Sequence, residues 1–186
     1  MIAIRTERPN DQTAREALLD RAYGPARFAK PSQKLRAGRA PAEGLSFVAA
    51  DRGAIVGTLR LWPVTAGLAR DALLLGPLAV DPASRSRGIG AALMRKALEA
   101  ARARGHRAVL LMGDAAYYGR FGFSAVATGK LRMPGAFDPA RLLAFELAPG
   151  ALAGAAGPIR PAGALVSPPQ TRIGRKSVNK PAARAA

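Results

Sequence analysis

The sequence predicts an α/β fold built on a mixed sheet with helices on both faces, and three observations support this prediction. An apolar strand over Leu73 to Val80 runs through a glycine-bearing turn directly into an Ala- and Leu-rich helix. A second apolar segment, Ala108 to Met112, follows that helix, and a helical crossover makes two such strands parallel neighbours. Upstream, two apolar runs flank Asp51-Arg52-Gly53, which indicates an antiparallel hairpin.

Length and composition limit the classes of protein that fit. The chain has 186 residues, which suits one domain with a short appendage, and its 49% hydrophobic content is enough for a core. It has no cysteine, which excludes disulfides, thiolate metal sites and a cysteine nucleophile. The single histidine, His106, follows a helix end and cannot form a histidine metal cluster, so we expect no metal site and interpret His106 as a surface residue.

Location and charge point to an ordinary intracellular protein. The first residues, MIAIRTERPNDQT, lack the apolar region of a signal peptide, and the longest apolar run, Ala72 to Val80, is too short to cross a bilayer. We therefore expect a soluble, cytoplasmic protein with no membrane partner. The net charge of +17 favours nucleic acid, but aromatic residues make up only 5% and do not alternate with basic stretches, so we expect only non-specific binding.

The first third of the chain reads as a strand, two helices and a hairpin. Pro9-Asn10-Asp11 supplies helix-start chemistry, and Tyr23-Gly24-Pro25 ends that helix. The expected elements are a strand over Met1 to Arg5, a helix up to Tyr23, a short basic helix within Ala26 to Ala37, and hairpin strands over Leu45 to Ala50 and Ala54 to Val64. Trp62, on the second hairpin strand, is interpreted as a core residue.

Pro77 lies in the middle of the central strand over Leu73 to Val80. Because proline cannot donate a ladder hydrogen bond, it argues against pairing along the whole strand. A strand that bulges and splays away from its neighbour removes the conflict. We therefore predict a gap in the sheet beside Pro77.

The turn after the central strand has the parts of an anion site. Gly88 and Gly90 allow the backbone to approach a ligand, and the helix that follows begins with amides that have no partner within it. Arg85 and Arg87 add positive charge. The turn matches neither the GxGxxG nor the P-loop pattern. It predicts a phosphate-bearing ligand of another class, with glycines that serve only packing as the alternative.

The second half of the chain continues the alternation of helix and strand. The helix over Ile89 to Arg104 ends at Gly105, and its apolar face is Ile89, Ala92, Leu93, Ala97 and Ala100. After the strand over 108–112 comes the segment GDAAYYGRFGF, residues 113–123. A weak strand to about Thr128 and a last strand over Leu142 to Leu147 are expected beyond it.

Two motifs in this order resemble those of the GNAT N-acetyltransferases, most of all small bacterial members. Arg85-Ser86-Arg87-Gly88-Ile89-Gly90 is similar to the family's acyl-CoA loop, Gln/Arg-x-x-Gly-x-Gly/Ala, and lies between an apolar strand and a helix as in the family. Tyr118, Gly122 and Phe123 match the family's Tyr-x-x-x-Gly-Phe element. One helix and one strand separate the two motifs, so chance agreement is a poor explanation.

The resemblance implies a fold, a cosubstrate and a set of site residues. It implies the GNAT fold, whose splayed central strands admit the pantetheine arm of acetyl-CoA, without a metal. Tyr118 would be the catalytic acid that protonates the departing CoA thiolate, and Phe121 and Phe123 would close the core. The residues that would bind the cosubstrate are Leu78, Ala79, Val80, Arg85, Ser86, Arg87, Gly88, Ile89, Gly90 and Ala91.

The implied activity is transfer of an acetyl group from acetyl-CoA to a primary amine by direct attack in a ternary complex. Many members of the family carry a glutamate base on the central strand, but LLLGPLAV has no carboxylate. Asp71, Asp81 and Asp114 flank the region without a spacing that singles one out. A water relay and a base from the acceptor-side loops are both open, as are the acceptor amine and a homodimeric assembly.

Three other functions fit the same sequence. The chain could bind acyl-CoA as a sensor without turnover, because a fold does not establish chemistry. It could bind nucleic acid or ribosomes through a basic tail, or it could use a longer acyl donor. Residues 1–150 are expected to form the GNAT domain and 151–186 an Ala/Pro/Gly-rich extension with that tail. Leu165 to Ala186 has almost no large apolar residues and is predicted to be disordered.

Overall fold

The elements of the structure follow the order that the apolar pattern predicts. The computed structural model describes residues 2–166. Its strands and helices are β1 (Ile2–Thr6), α1 (Gln12–Tyr23), α2 (Pro31–Lys34), β2 (Ser46–Asp51), β3 (Ala54–Ala66), β4 (Arg70–Leu75), β5 (Ala79–Val80), α3 (Ile89–Ala103), β6 (Ala108–Met112), α4 (Ala115–Gly119), β7 (Leu131–Arg132), β8 (Leu142–Glu146), β9 (Gly157–Pro158) and β10 (Arg160–Pro161).

The main sheet is mixed, as the sequence predicts. Its strands lie in the order β1-β2-β3-β4-β6-β8, and β5 and β10 also pair with β3. The pair β4 and β6 is parallel, while the other pairs of this sheet are antiparallel. The crossover through α3 accounts for that one parallel pair.

The central strands splay at the predicted place, which confirms the gap beside Pro77. β4 pairs with β6 only at Leu73–Val109 and Leu74–Leu110. Beyond Leu75 the chain leaves β6, and β5 resumes pairing with β3 alone. The apolar strand expected over Leu73 to Val80 is divided into β4 and β5, and the break falls at Pro77, which has no amide hydrogen to donate.

Each face of the sheet is covered by its own set of apolar side chains. α3 packs on one face through Ile89, Leu93 and Met94, against β-strand residues such as Phe47 and Leu61. Met94 and Ala101 are also buried on this helix, whereas Ala92, which was expected on the apolar face, is only half-buried. On the opposite face lie α1, with Leu18 and Leu19 buried, and the segment after β8. Trp62 is buried, as predicted.

The segment after residue 150 belongs to the packed structure, which corrects the boundary expected there. Leu152 and Ile159 are 3% and 2% exposed and pack against strand residues of the second face. β10 pairs with Val64 and Thr65 of β3. The sequence did not predict this packing, because the segment folds as turns and two-residue strands and therefore shows no hydrophobic periodicity.

The chain stays attached a few residues further, up to the end of the described part. Leu165 forms a bridge with Arg39, and the Val166 amide donates to the Gly38 carbonyl oxygen at 2.9 Å. These two residues therefore do not belong to a free tail. The remainder of the predicted tail, residues 167–186, lies outside the described residues.

Two smaller expectations also change. The weak strand over 123–128 is a turn, in which Ser124 alone bridges Ala144. The basic helix within 26–37 is a 3-10 turn, Pro25–Ala29, followed by the short α2. Within residues 2–166, no helix has the length and apolar composition needed to cross a bilayer.

Candidate active site

A pocket of about 270 Å³ opens where β4 and β6 diverge, and we call it the splay pocket. The interrupted strand forms one wall with Leu75 to Leu78, and Met112 at the end of β6 lies opposite. Tyr118 reaches it from α4. The chain between α1 and α2 closes the remaining side with Tyr23, Arg27, Lys30, Pro31, Ser32, Gln33 and Arg36, and Arg141 completes the rim.

Tyr118 is held at this pocket by the turn that joins β6 to α4. Asp114 begins the helix, and its Oδ1 accepts a hydrogen bond from the Tyr117 amide at 2.7 Å. The Tyr118 ring lies against Gly113, where an added Cβ would come within 2.2 Å of its Cε2 atom. The ring of Phe123 meets the Tyr118 ring edge-on, with centroids 6.1 Å apart. Packing from two sides therefore fixes the direction of the ring.

The environment of Tyr118 keeps its hydroxyl protonated. Burial raises the pKa of Tyr118 above its ordinary value, and the nearby hydroxyls of Tyr23 and Tyr117 raise it further. A buried phenol loses its proton with difficulty because the phenolate would be poorly solvated. At neutral pH this side chain is therefore a proton donor within the splay pocket.

Tyr117, the adjacent tyrosine, points to a different place. Its hydroxyl lies over the glycine turn, 2.9 Å from where a Cβ on Gly90 would stand. The Arg120 guanidinium covers its ring at 4.0 Å from the centroid. The structure thus separates two tyrosines that are neighbours in the sequence, one facing the pocket and one facing the turn.

The glycine turn between β5 and α3 has an unusual backbone. Ser86 and Gly88 both have positive φ, 63° and 73°. In residues 2–166, the amides from Ser86 to Ala91 donate no hydrogen bond within the protein. Alternation of right- and left-handed residues turns successive amides into one concavity, which suits an anion. A Cβ on Gly88 would meet no atom within 4 Å, so the turn is open to solvent.

The two arginines of the turn have different surroundings. Arg87 forms an ion pair with Asp51 in the hairpin turn, with Nη1 and Oδ2 2.9 Å apart, and this pair lowers the pKa of Asp51. Arg87 therefore attaches the turn to the hairpin. The sequence had instead predicted that its charge would be available to a ligand. Arg85 is exposed and has no ion-pair partner within the described chain.

The strand residues expected to contact a ligand lie along the gap. The Leu78 carbonyl oxygen accepts a hydrogen bond from the Tyr23 hydroxyl. Ala79 and Val80 pair with Thr58 and Gly57 of β3 on one edge. Their other edge borders the gap, so the structure brings these residues and Tyr118 to the same opening.

Two of the three flanking carboxylates have structural tasks, and the third is exposed at the surface. Asp81 caps the 3-10 turn Pro82–Ser84 and pairs with Arg21 at 3.0 Å, and Asp114 caps α4. Asp71 is exposed on β4. The splay pocket is lined by no carboxylate, and no Asp or Glu occurs anywhere from Gly24 to Ala40. Within residues 2–166, no cluster of side chains suits a metal ion.

A second, larger cleft of about 720 Å³ lies beside the glycine turn, on the outer side of α3. Ala91, Arg95 and Arg102 line it from the helix, and Arg120 and Phe121 line it from the turn after α4. Phe121 is thus half-buried at a cleft, whereas Phe123 is buried in the core.

The structure combines a splayed strand pair, an amide concavity at one end of the gap and a protonated tyrosine at the other. The chain belongs to the GNAT acetyltransferase family, whose model, Acetyltransferase (GNAT) family, matches residues 13–123. The resemblance predicted from the two motifs is thereby confirmed.

Particular relatives extend this likeness over most of the chain. The N-acetyltransferase YhbS of Escherichia coli strain K12 is 32% identical over 155 residues, which are 83% of this chain and 92% of YhbS. The crystal structure of E. coli YhbS in complex with CoA matches with a TM-score of 0.74 and 31% identity, covering 87% of this chain and 89% of that one. A GNAT family acetyltransferase from Brucella melitensis in complex with acetyl-CoA matches with a TM-score of 0.61 and 29% identity, covering 91% and 97%.

Sequence reasoning missed three residues at the pocket. Tyr23 ends α1 and Arg36 follows α2, and neither position carries a motif, so only tertiary packing places them at the pocket. Gly113 looked like a loop residue, yet its missing side chain makes room for Tyr118. A glycine directly after a buried strand and ahead of a capping aspartate was the one available signal.

Proposed function

We propose that the protein transfers an acetyl group from acetyl-CoA to a primary amine by direct attack in a ternary complex. One observation carries this proposal: Tyr118, protonated and aimed into the splay pocket, faces the gap between the diverging strands. Two relatives with matching folds are described as complexes with CoA or acetyl-CoA.

The cosubstrate would lie along the gap and the glycine turn. Its pyrophosphate would accept hydrogen bonds from the amides of Ser86 to Ala91, and its pantetheine arm would pair with the free edge of Leu78 to Val80. The larger cleft beside α3 would take the adenosine end, where Arg95 and Arg120 offer charge to the remaining phosphate. This placement leaves the thioester in the splay pocket.

The acetyl transfer then needs one side-chain acid, Tyr118. The neutral amine attacks the thioester carbonyl carbon, and a backbone amide near Leu78 to Val80 stabilises the oxyanion. Collapse breaks the C–S bond, and the Tyr118 hydroxyl protonates the thiolate of CoA. The nitrogen of the new amide releases its extra proton to water, and Tyr118 regains a proton from solvent.

The acceptor loses its first proton without a side-chain carboxylate. Of the two routes that the sequence left open, a carboxylate from the acceptor-side loops is disfavoured, because the segment from Gly24 to Ala40 contains no Asp or Glu. A water relay to solvent therefore serves as the base in this proposal. The cationic lining of the pocket assists, because nearby positive charge lowers the pKa of an ammonium group.

An assay of CoA release with a panel of amines tests the function. We expect free thiol to form only when acetyl-CoA and an amine are both present, with a matching N-acetylated product by mass spectrometry. Tight binding of acetyl-CoA without amine-dependent release would instead indicate a sensor. Donors of increasing acyl length in the same assay test the preference for acetyl.

A further inference from the structure

The splay pocket carries positive charge that the protein itself does not neutralise. Lys30, Arg36 and Arg141 line it, and none of the three forms an ion pair within residues 2–166. Arg27 also reaches the pocket, but its guanidinium binds Glu16 and Asp20 at 2.6 and 2.9 Å. The lining therefore has three cations available for a ligand and no competing carboxylate.

Arg36 is the most unusual of these side chains because it is buried. It is 8% exposed, its Nε has no hydrogen-bond partner, and its Nη2 donates to Ser32 Oγ at 3.3 Å. Loss of solvent is the main reason that the pKa of Arg36 is lowered to about 10; Tyr23 opposes this shift and the charge of Arg27 adds to it. A buried guanidinium without an anion is unfavourable, so its retention needs a reason other than stability.

The charges of Arg36 and Lys30 lie at the gap between the diverging strands β4 and β6. Arg36 Nη1 lies 3.6 Å from where a Cβ on Gly76 would stand, at the point where the central strand leaves its neighbour. Lys30 Nζ lies 4.3 Å above the ring of Tyr23, whose hydroxyl binds the Leu78 carbonyl oxygen. Both cations therefore face the place where an acceptor must approach the thioester.

We propose that the acceptor is an amine that also carries an anionic group, a carboxylate or a phosphate, and that Arg36 and Lys30 bind this group. The inference rests on the proposed acetyltransferase function and names its substrate class. The unsatisfied Nε of Arg36 and its terminal nitrogens form a fork that matches either anion in a two-bond geometry. Polyamines are disfavoured, because a second ammonium group would meet three cations.

Matched pairs of amines test the proposal. β-Alanine is compared with β-alaninamide and phosphoethanolamine with ethanolamine, with spermidine as a cationic acceptor. We expect the anionic member of at least one pair to have the higher kcat/KM by about 10- to 100-fold, the scale of hydrogen bonds to a charged group. The pair that shows the difference distinguishes carboxylate from phosphate. Equal rates within both pairs, or a preference for spermidine, would overturn the anion site while the acetyltransferase function stands.

Variants connect the preference to Arg36. Arg36→Met should remove the difference within the pair by raising the KM of the anionic acceptor, while the KM of acetyl-CoA stays unchanged. Arg36→Lys should keep part of the difference, because it keeps charge without the fork. Lys34→Gln, on the same α2 but outside the pocket lining, is the matched control. A raised KM for acetyl-CoA with an unchanged acceptor KM would show that Arg36 serves the cosubstrate, and would overturn the proposal.

Thermal unfolding separates binding from a structural role. Since Arg36 is buried without an anion, Arg36→Met should unfold at the same or a higher temperature than the parent. A large drop in Tm with an intact preference for the anionic amine would assign Arg36 to the structure alone. Should Arg36→Met fail to fold, Lys30→Met provides the same kinetic comparison.

Product binding keeps the anion site testable when no amine is acetylated. That result would refute the proposed function, and N-acetyl-β-alanine and N-acetyl-β-alaninamide would then be titrated calorimetrically into the protein with CoA bound. N-acetylphosphoethanolamine and N-acetylethanolamine form the second pair. Tighter binding of the anionic member supports the site, and equal binding within both pairs overturns it.

Discussion

At the scale of single residues, the candidate chemistry depends on which of two adjacent tyrosines enters the splay pocket. Tyr118 lines the pocket, and Tyr117 lies over the glycine turn. Asp114 caps α4 soon after β6 ends, so both tyrosines lie on a helix. Because successive side chains on a helix point in different directions, only one of the two can enter the pocket. The family motif had indicated Tyr118, and the geometry gives a physical reason for that choice.

Removing the Tyr118 hydroxyl should slow the chemical step. Tyr118→Phe keeps the packed ring and removes the proton donor, so we expect turnover to fall about 10²- to 10⁴-fold with little change in acetyl-CoA affinity. Tyr117→Phe should reduce turnover much less. Near-parental turnover of Tyr118→Phe when chemistry limits the rate would show that the thiolate leaves without its help.

The pH profile of the parent follows from the same residue. Tyr118 acts in its protonated form, and its pKa is raised above 10.0, so the acid form persists as pH increases. We therefore expect kcat/KM to rise as the acceptor amine deprotonates and to show no descending limb from Tyr118 below pH 10.0.

Gly113 should act as a positioning residue for Tyr118. A methyl group at Gly113 would come within 2.2 Å of the ring, so Gly113→Ala should move the hydroxyl and lower kcat, while acetyl-CoA still binds. Gly119→Ala, at the end of α4, is the matched control, because a Cβ there meets no atom within 4 Å. Equal turnover of the two variants would contradict this role.

At the scale of elements, α3 connects the candidate phosphate site to the core. Its buried face holds it on the sheet, and Gly88 at its start and Gly105 beyond its end have similar left-handed φ of 73° and 77°. Both positions favour glycine for the same conformational reason. They differ in what lies around them, since only Gly88 belongs to the open amide turn.

Substitution of the two glycines separates conformational strain from ligand binding. Gly88→Val and Gly105→Val should lower Tm by similar amounts, because each forces a β-branched residue to positive φ. Only Gly88→Val should weaken binding of acetyl-CoA, since its side chain would occupy the space over the amides. Parental affinity in Gly88→Val, measured calorimetrically, would refute the proposed position of the pyrophosphate.

At the scale of the whole molecule, the fold is completed by a segment that looks like a linker in the sequence. Residues 151–166 cover one face of the sheet with Leu152 and Ile159 and attach to β3 and to the loop at Gly38. They also pack near the chain that closes the splay pocket, through Leu35 in the same apolar cluster. The last strand of the motif-bearing region therefore does not end the folded unit.

Truncations at two positions test this extent. A chain ending at Val166 should keep the parental Tm and acetyl-CoA affinity, because the sequence from 167 to 186 offers almost no apolar surface. A chain ending at residue 150 should be strongly destabilised, since loss of each buried Leu or Ile removes about 2–5 kcal/mol. Equal Tm values for both truncations would show that the packed segment contributes nothing. Loss of all function in the longer truncation, with CoA affinity intact, would favour a role for the basic tail.

The sequence by itself determined the features that depend on local order along the chain. Hydrophobic periodicity located β6 and α3 within a residue or two, and Pro77 predicted the gap because proline lacks an amide hydrogen wherever it is placed. The glycine turn and Tyr118 were found through short motifs whose spacing is fixed within one turn or helix. Features of this kind can be predicted without knowledge of the rest of the fold.

Only the tertiary structure decided which distant residues meet at the gap. Arg36 and Tyr118 are far apart in the sequence, and no local pattern relates a basic residue near α2 to a tyrosine on α4. Arg87 was assigned to a ligand from its position in the turn, yet Asp51 in the hairpin holds it. The charge and shape of a pocket arise from side chains on separate elements, so they are fixed only when the sheet brings those elements together.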